Sequence, residues 1–142
     1  MSVHQSVLLE ETVNNLQILQ HVIVFDATLG GGGHSQAILE KLGNTGKLIC
    51  LDQDPDAVSA AKQRFAEQEN VSVVQGNFRD IQQHLKELGI EKVDRLCIDL
   101  GISSDQLDSE SRGFSYRFDS PLDMRMNPST GISAAELLNT YS

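Results

Sequence analysis

From Val22 onward, short apolar and β-branched runs alternate with helix-length amphipathic segments, a pattern that restricts the chain to βαβ units laid into a parallel sheet. The runs at 22–27, 47–51, 71–74 and 93–100 are the expected strands. Between them, helices are expected over about 35–42, ended by Gly43, from Asp54-Pro55 onward, and over about 80–88, ended by Gly89. Asp54 suits an N-cap and Pro55 the first helical position, while Ala57, Val58, Ala61 and Phe65 recur at helical spacing. A short helix is also expected over 8–16, ahead of the first strand. At 142 residues and 39% hydrophobic composition, the chain has the material for one compact domain.

The pattern breaks at 101–131, a stretch of scattered Gly, Pro, Arg and Asp with no sustained period, expected to be a long functional loop. A last helix is expected from Ser133, where Ser133-Ala134-Ala135-Glu136 fits a capping box. Cys50 and Cys97 fall inside strand-like runs and read as reduced core thiols. With one strand between theirs, about 4.8 Å per strand holds them beyond disulfide reach. The polar, acidic N-terminus and the absence of any apolar run near 18 residues predict a soluble, cytoplasmic chain with no membrane association.

In an open parallel sheet, ligands bind beyond the carboxyl ends of the strands. The first strand delivers Asp26-Ala27-Thr28-Leu29 and then four glycines, Gly30 to Gly33, before His34 and Ser35. Missing side chains let backbone approach a ligand, and the helix start presents free N–H groups. A nucleotide-like cofactor is the expected occupant; the plain alternative is a flexible linker. Asp52 ends the second strand twenty positions after Gly32, a spacing suited to an acid on two ribose hydroxyls. Asn77 and Phe78 follow the third strand, where an amide can bond an adenine edge; Phe78 stays open between an adenine-facing ring and a core side chain. The fourth strand ends at Asp99-Leu100-Gly101, which puts a carboxylate where the transferred group should sit.

The glycine spacing fits the dinucleotide fingerprint poorly, because Gly30-x-Gly32-x-x-Ser35 ends in Ser. An acid ahead of the glycines is common in methyltransferases, and Asp26-x-Thr28-x-Gly30-x-Gly32 resembles that motif with Thr in place of its first glycine. Such an acid suits the cationic methionine end of S-adenosylmethionine. A nicotinamide-dependent oxidoreductase and a non-catalytic module that senses the cofactor or binds RNA remain as alternatives. No Cys/His cluster with ligand spacing is present, so no metal is expected.

Four ordered motifs, at 26–35, 99–108, Arg112-Gly113-Phe114-Ser115 and Leu122-Asp123-Met124-Arg125-Met126, together with His4-x-x-Val7-Leu8-Leu9-x-Glu11, resemble the small-subunit ribosomal RNA methyltransferase H family, also called MraW. Ser6 and Asp105 stand where that family usually has proline, and Tyr116 where phenylalanine is common. The resemblance implies a Rossmann-like class I S-adenosylmethionine-dependent methyltransferase fold, α/β with a parallel sheet, here cut short after the fourth strand. Residues 1–142 would be the N-terminal, cofactor-binding part of the methyltransferase domain. It implies methyl transfer to the N4 amino group of a cytidine in 16S ribosomal RNA of the small ribosomal subunit. It also implies cofactor contacts at Gly32, Gly33, His34, Asp52, Phe78, Asp99 and Gln106. Asp99 is the candidate acceptor for the reacting amino group. Arg112, Phe114, Asp123 and Arg125 are the candidates in the substrate loop, with the Asp123 and Arg125 pair open between an internal salt bridge and RNA contact. A shorter chain of this kind could also bind the cofactor without catalysing transfer.

The formal charge of -9 opposes this reading, since nucleic-acid proteins usually carry a basic footprint. The second half answers only in part: past Lys92 its cations are Arg95, Arg112, Arg117 and Arg125, set against six acids between Asp99 and Asp123.

Overall fold

The computed structural model describes residues 8–141. The chain divides into two compact units, one ending at Leu100 and one beginning at Gly101. His4, Ser6 and Val7 of the N-terminal motif lie outside the described residues.

The first unit is a four-stranded parallel sheet flanked by helices, in the chain order α1 (Leu9–Asn15), β1 (Ile23–Asp26), α2 (Gly33–Leu42), β2 (Lys47–Asp52), α3 (Pro55–Arg64), β3 (Val71–Gln75), α4 (Ile81–Glu87) and β4 (Arg95–Cys97). The strand order is β3-β2-β1-β4, so β1 and β2 are interior. Side chains alternate across a strand, and these two bury both sets. Val24, Leu48 and Cys50 face a core shared with Ile38 and Leu42 of α2 and Ala61 of α3. Phe25, Ile49 and Leu51 face the opposite core, closed by Ile81 and Leu85 of α4.

The helix boundaries follow local chemistry. Asp54 caps α3 by accepting the Asp56 N–H at 3.0 Å, with Pro55 beginning the helix. Gly43 ends α2 at φ +57°, a conformation that glycine adopts without steric cost. Asp26 lies in register with Cys50 on one side and Cys97 on the other. Both cysteines are free, and burial pushes both thiols up to about 12.

The fourth strand departs from expectation. Apolar periodicity predicts a strand over 93–100, yet only Arg95–Cys97 pairs. Among the described residues its sole neighbour is β1, which turns away after Asp26 into the glycine segment. Past Cys97 no strand of the described residues lies beside the backbone, and Leu96, Ile98 and Leu100 are exposed. Apolar alternation marks a face to be covered, whereas pairing needs a partner.

The second unit contains α5 (Ser104–Asp108) and α6 (Ala134–Thr140), so the stretch expected as an aperiodic loop holds a helix. Both helices start with a capping box: Ser103 with Gln106, and Ser133 with Glu136. Between them the Arg112 guanidinium donates to the carbonyls of Arg125 and Met126 at 3.1 and 2.8 Å. Arg125 pairs with Asp123 through Nη2 at 2.6 Å and Nε at 2.9 Å, a two-point ion pair. The carbonyls of Asp123 and Leu122 accept the first amides of α6 at 2.7 and 2.9 Å, tying this turn to the helix.

Arg125 holds the Asp123 carboxyl down to about 2. A depressed acid stabilises the fold above its unfolded value, and that stabilisation is lost as pH falls from the ordinary 3.8 through about 2. Carbon NMR titration is expected to place the Asp123 midpoint near 2 and to return it toward 3.8 in Arg125→Ala. An unchanged midpoint in the variant contradicts the pairing.

Candidate active site

The carboxyl ends of β1, β2 and β3, and the segment after β4, carry Asp26, Asp52, Asn77 with Phe78, and Asp99. The glycine turn after β1 is tied down by the first two acids. Asp26 accepts the Thr28 N–H at 3.2 Å and the Ser35 hydroxyl at 2.6 Å, bridging both ends of the turn. It is 1% exposed, and burial pushes its carboxyl up. Asp26, the acid that suits a cationic ligand group, is enclosed here and braces the loop. Its bond to Ser35, nine positions later, holds the carboxylate inward under the turn.

Asp52 is half-buried and works from the next strand. Its Oδ2 accepts the Gly30 N–H at 2.8 Å and its Oδ1 accepts the Asp54 N–H at 2.9 Å. Each carboxylate oxygen keeps further acceptor capacity, enough for a vicinal diol. Between these anchors Gly32 sits at φ +77° as N-cap of α2, without any side-chain cap on the amides that follow. A Cβ on Gly32 would lie 2.8 Å from Arg64 Nη1. Bare backbone, uncapped amides and a nearby carboxylate fit an adenosine-bearing, anionic-ended cofactor.

Arg64, in the last turn of α3, donates to the Gly31 carbonyl at 2.8 Å and holds the outer side of the glycine turn. Nothing in the sequence singled it out, because a helix-terminal arginine reads as a solvated charge. Thr28 is the second unforeseen participant. Its Oγ1 accepts the Asp99 N–H at 2.7 Å, which ties the glycine loop to the end of β4 and gives a physical reason for Thr at a position where the motif has glycine.

His34 is buried, with Nδ1 3.8 Å from Asp99 Oδ2. Asp99 itself is open to solvent, its side chain 56% exposed. Asn77 spends its oxygen on the Arg79 N–H and its amide on Gln53 Oε1, at 3.0 and 3.2 Å. Phe78 opens a short 3-10 turn and is exposed. The ring of His84 packs so closely on Gly76 that a Cβ there would collide with it.

Gly32, Gly33, His34, Asp52, Phe78 and Asp99 thus all lie in the first unit. Gln106 belongs to the second, buried, with its side-chain oxygen accepting the Ser103 N–H at 3.0 Å. In that unit Arg112 lies over the Phe114 ring at 6.0 Å and Arg117 over Phe118 at 5.7 Å, while Tyr116 is 99% exposed. Among the described residues no group of three or more His, Cys, Asp or Glu is arranged to hold a metal ion, and no helix is long and apolar enough to cross a membrane.

Replacing Thr28 by Val removes the acceptor for the Asp99 amide but keeps the shape. A loss of about 1 kcal/mol in stability of the first unit is expected, and Thr28→Ser is expected to retain it. Equal melting of the Val and Ser variants contradicts this link.

The model of the MraW methylase family matches residues 1–142. Ribosomal RNA small subunit methyltransferase H of Clostridium botulinum (strain Kyoto / Type A2) is 54% identical over 138 residues, covering 97% of this chain and 45% of that protein. The corresponding protein of the Okra / Type B1 strain is 53% identical over the same length. The chain therefore spans about half the length of the curated relatives it matches. Among solved structures, NSun6 from Pyrococcus horikoshii with SFG is similar at a TM-score of 0.55 and 22% identity, covering 78% of this chain and 27% of that one. An S-adenosylmethionine-dependent O-methyltransferase from Thermotoga maritima is similar at 0.54 and 19%, covering 70% and 38%. Both share the fold.

Proposed function

The chain belongs to the MraW methylase family, and on that premise we propose that it holds S-adenosylmethionine for methyl transfer to the N4 amino group of a cytidine in 16S ribosomal RNA. The observation that carries the cofactor half is the double anchoring of the glycine turn, by Asp26 from below and by Asp52 from the neighbouring strand. Gly32 and Gly33 would receive the cofactor against bare backbone, Asp52 would accept hydrogen bonds from its ribose hydroxyls, and Phe78 would hold its adenine. When bound, the cofactor supplies an electrophilic methyl group on a sulfonium.

The cytosine amino nitrogen is a poor nucleophile, because its lone pair is delocalised into the ring. The site's task is to accept a hydrogen bond from that N–H and to hold the nitrogen in line. Asp99, solvent-facing just past β4 and fixed at its amide by Thr28, is the candidate acceptor. A base must leave its stack to reach such a site. Arg112, Phe114, Asp123 and Arg125 shape the substrate segment through their mutual contacts, and Tyr116 offers a free ring for stacking.

In this reading residues 1–142 are the N-terminal, cofactor-binding part of one methyltransferase domain. The protein works in the cytoplasm on the small ribosomal subunit. The test is transfer of labelled methyl to unmethylated small subunits, followed by nucleoside analysis. Label in N4-methylcytidine supports the assignment, and label in any other nucleoside contradicts it. Cofactor binding without transfer assigns this chain the cofactor-holding share alone.

A further inference from the structure

We infer that His34 is a positioning residue for Asp99: its imidazole Nδ1–H steers the Asp99 carboxylate so that one oxygen receives the cationic ammonium of an aminoalkyl sulfonium cofactor and the other is left for the reacting amino group. The inference rests on the reading that this loop holds such a cofactor.

His34 occupies the second position of α2, directly after the glycine turn, and is 7% exposed. Its Nδ1 stands 3.8 Å from Asp99 Oδ2, while its Nε2 is buried with no hydrogen-bond partner among the described residues. At 3.8 Å the contact is longer than a hydrogen bond, so it acts as a charge–dipole attraction. A lone pair at Nδ1 would repel the carboxylate, and an N–H there attracts it. The neighbouring carboxylate therefore selects the tautomer with the proton on Nδ1 and leaves Nε2 as the bare acceptor.

The other carboxylate that acts on His34 is Asp26, whose two oxygens are engaged by the Thr28 amide and the Ser35 hydroxyl. Asp99 differs in being open to solvent, 56% exposed at its side chain. Thr28 fixes its amide at 2.7 Å, so two residues flanking the glycines set both the backbone and the carboxylate of Asp99. The glycine turn and the aim of this carboxylate are thereby joined through Thr28 and His34, and a donor on the same ligand is the group best placed to meet it.

The decisive measurement is the nitrogen NMR signature of His34 in the native chain and in Asp99→Ala, a change at an exposed side chain that leaves the core intact. The Nδ1–H form is expected in the native chain, with a shift toward Nε2–H in the variant. The same tautomer in both overturns the inference. Affinities for S-adenosylmethionine and for 5′-methylthioadenosine, which lacks the ammonium, then separate aim from packing. His34→Gln is expected to weaken S-adenosylmethionine about 3- to 10-fold, to leave methylthioadenosine unchanged, and to add nothing in the Asp99→Ala background. Equal weakening of both ligands means a packing role and overturns it. A native chain that binds neither ligand sinks the cofactor reading, while the tautomer spectra still decide the His34–Asp99 pair.

Discussion

Gly113→Ala is expected to unfold the second unit while leaving the first in place. Gly113 sits at φ +69°, where a Cβ is strained by itself. That Cβ would also collide with the Pro121 carbonyl oxygen and lie 2.8 Å from the Asp123 amide. Both obstacles are backbone, and the Asp123 carbonyl accepts the first amide of α6, so they cannot yield without disturbing that helix. Strain and collision together cost at least about 3 kcal/mol, a large share of what a unit of this size can hold. Two other glycines calibrate the effect. Gly131→Ala, at φ +76° in open space, is expected to cost about 1 kcal/mol, and Gly101→Ala, with nothing within 4 Å, close to nothing. Amide exchange over 101–141 reads the series; equal protection in all three variants contradicts the role given to Gly113.

Asp52→Ala is expected to weaken cofactor binding and to destabilise the first unit together. The carboxylate accepts amides from two segments, Gly30 of the glycine turn and Asp54 at the start of α3. Losing both acceptors costs about 2–4 kcal/mol. With Asp52 proposed as the acceptor for the ribose hydroxyls, losing it is expected to weaken S-adenosylmethionine by about 30-fold or more, corresponding to roughly 2 kcal/mol. Asp52→Asn keeps one acceptor oxygen and separates the two roles, since it recovers part of the stability while cofactor affinity stays low. Full affinity in Asp52→Asn would assign the aspartate to the scaffold only.

What the sequence disclosed was local. Apolar runs bounded by glycine and proline marked each strand of the sheet, and Ser133-x-x-Glu136 marked α6, because caps and turns depend on residues a few positions apart. The same signature at Ser103-x-x-Gln106 begins α5, but the absence of apolar periodicity around it hid a helix of five residues. The place of Asp52 at the end of β2 was legible because the apolar run ahead of it marks the strand. Asp26 was not, since its inward turn depends on Ser35 nine positions later. Arg64 reaches Gly31 across 33 positions, and Thr28 meets Asp99 across 71, distances at which sequence spacing carries no geometric information. The fourth strand was read too long because its apolar residues reflect burial demand while its pairing ends where β1 turns away.

The measurement closest to the central claim is calorimetric titration of this chain with S-adenosylmethionine, with NAD titrated in parallel. Saturable binding of S-adenosylmethionine and silence toward NAD is the predicted result. A folded chain that binds NAD and ignores S-adenosylmethionine would contradict the account.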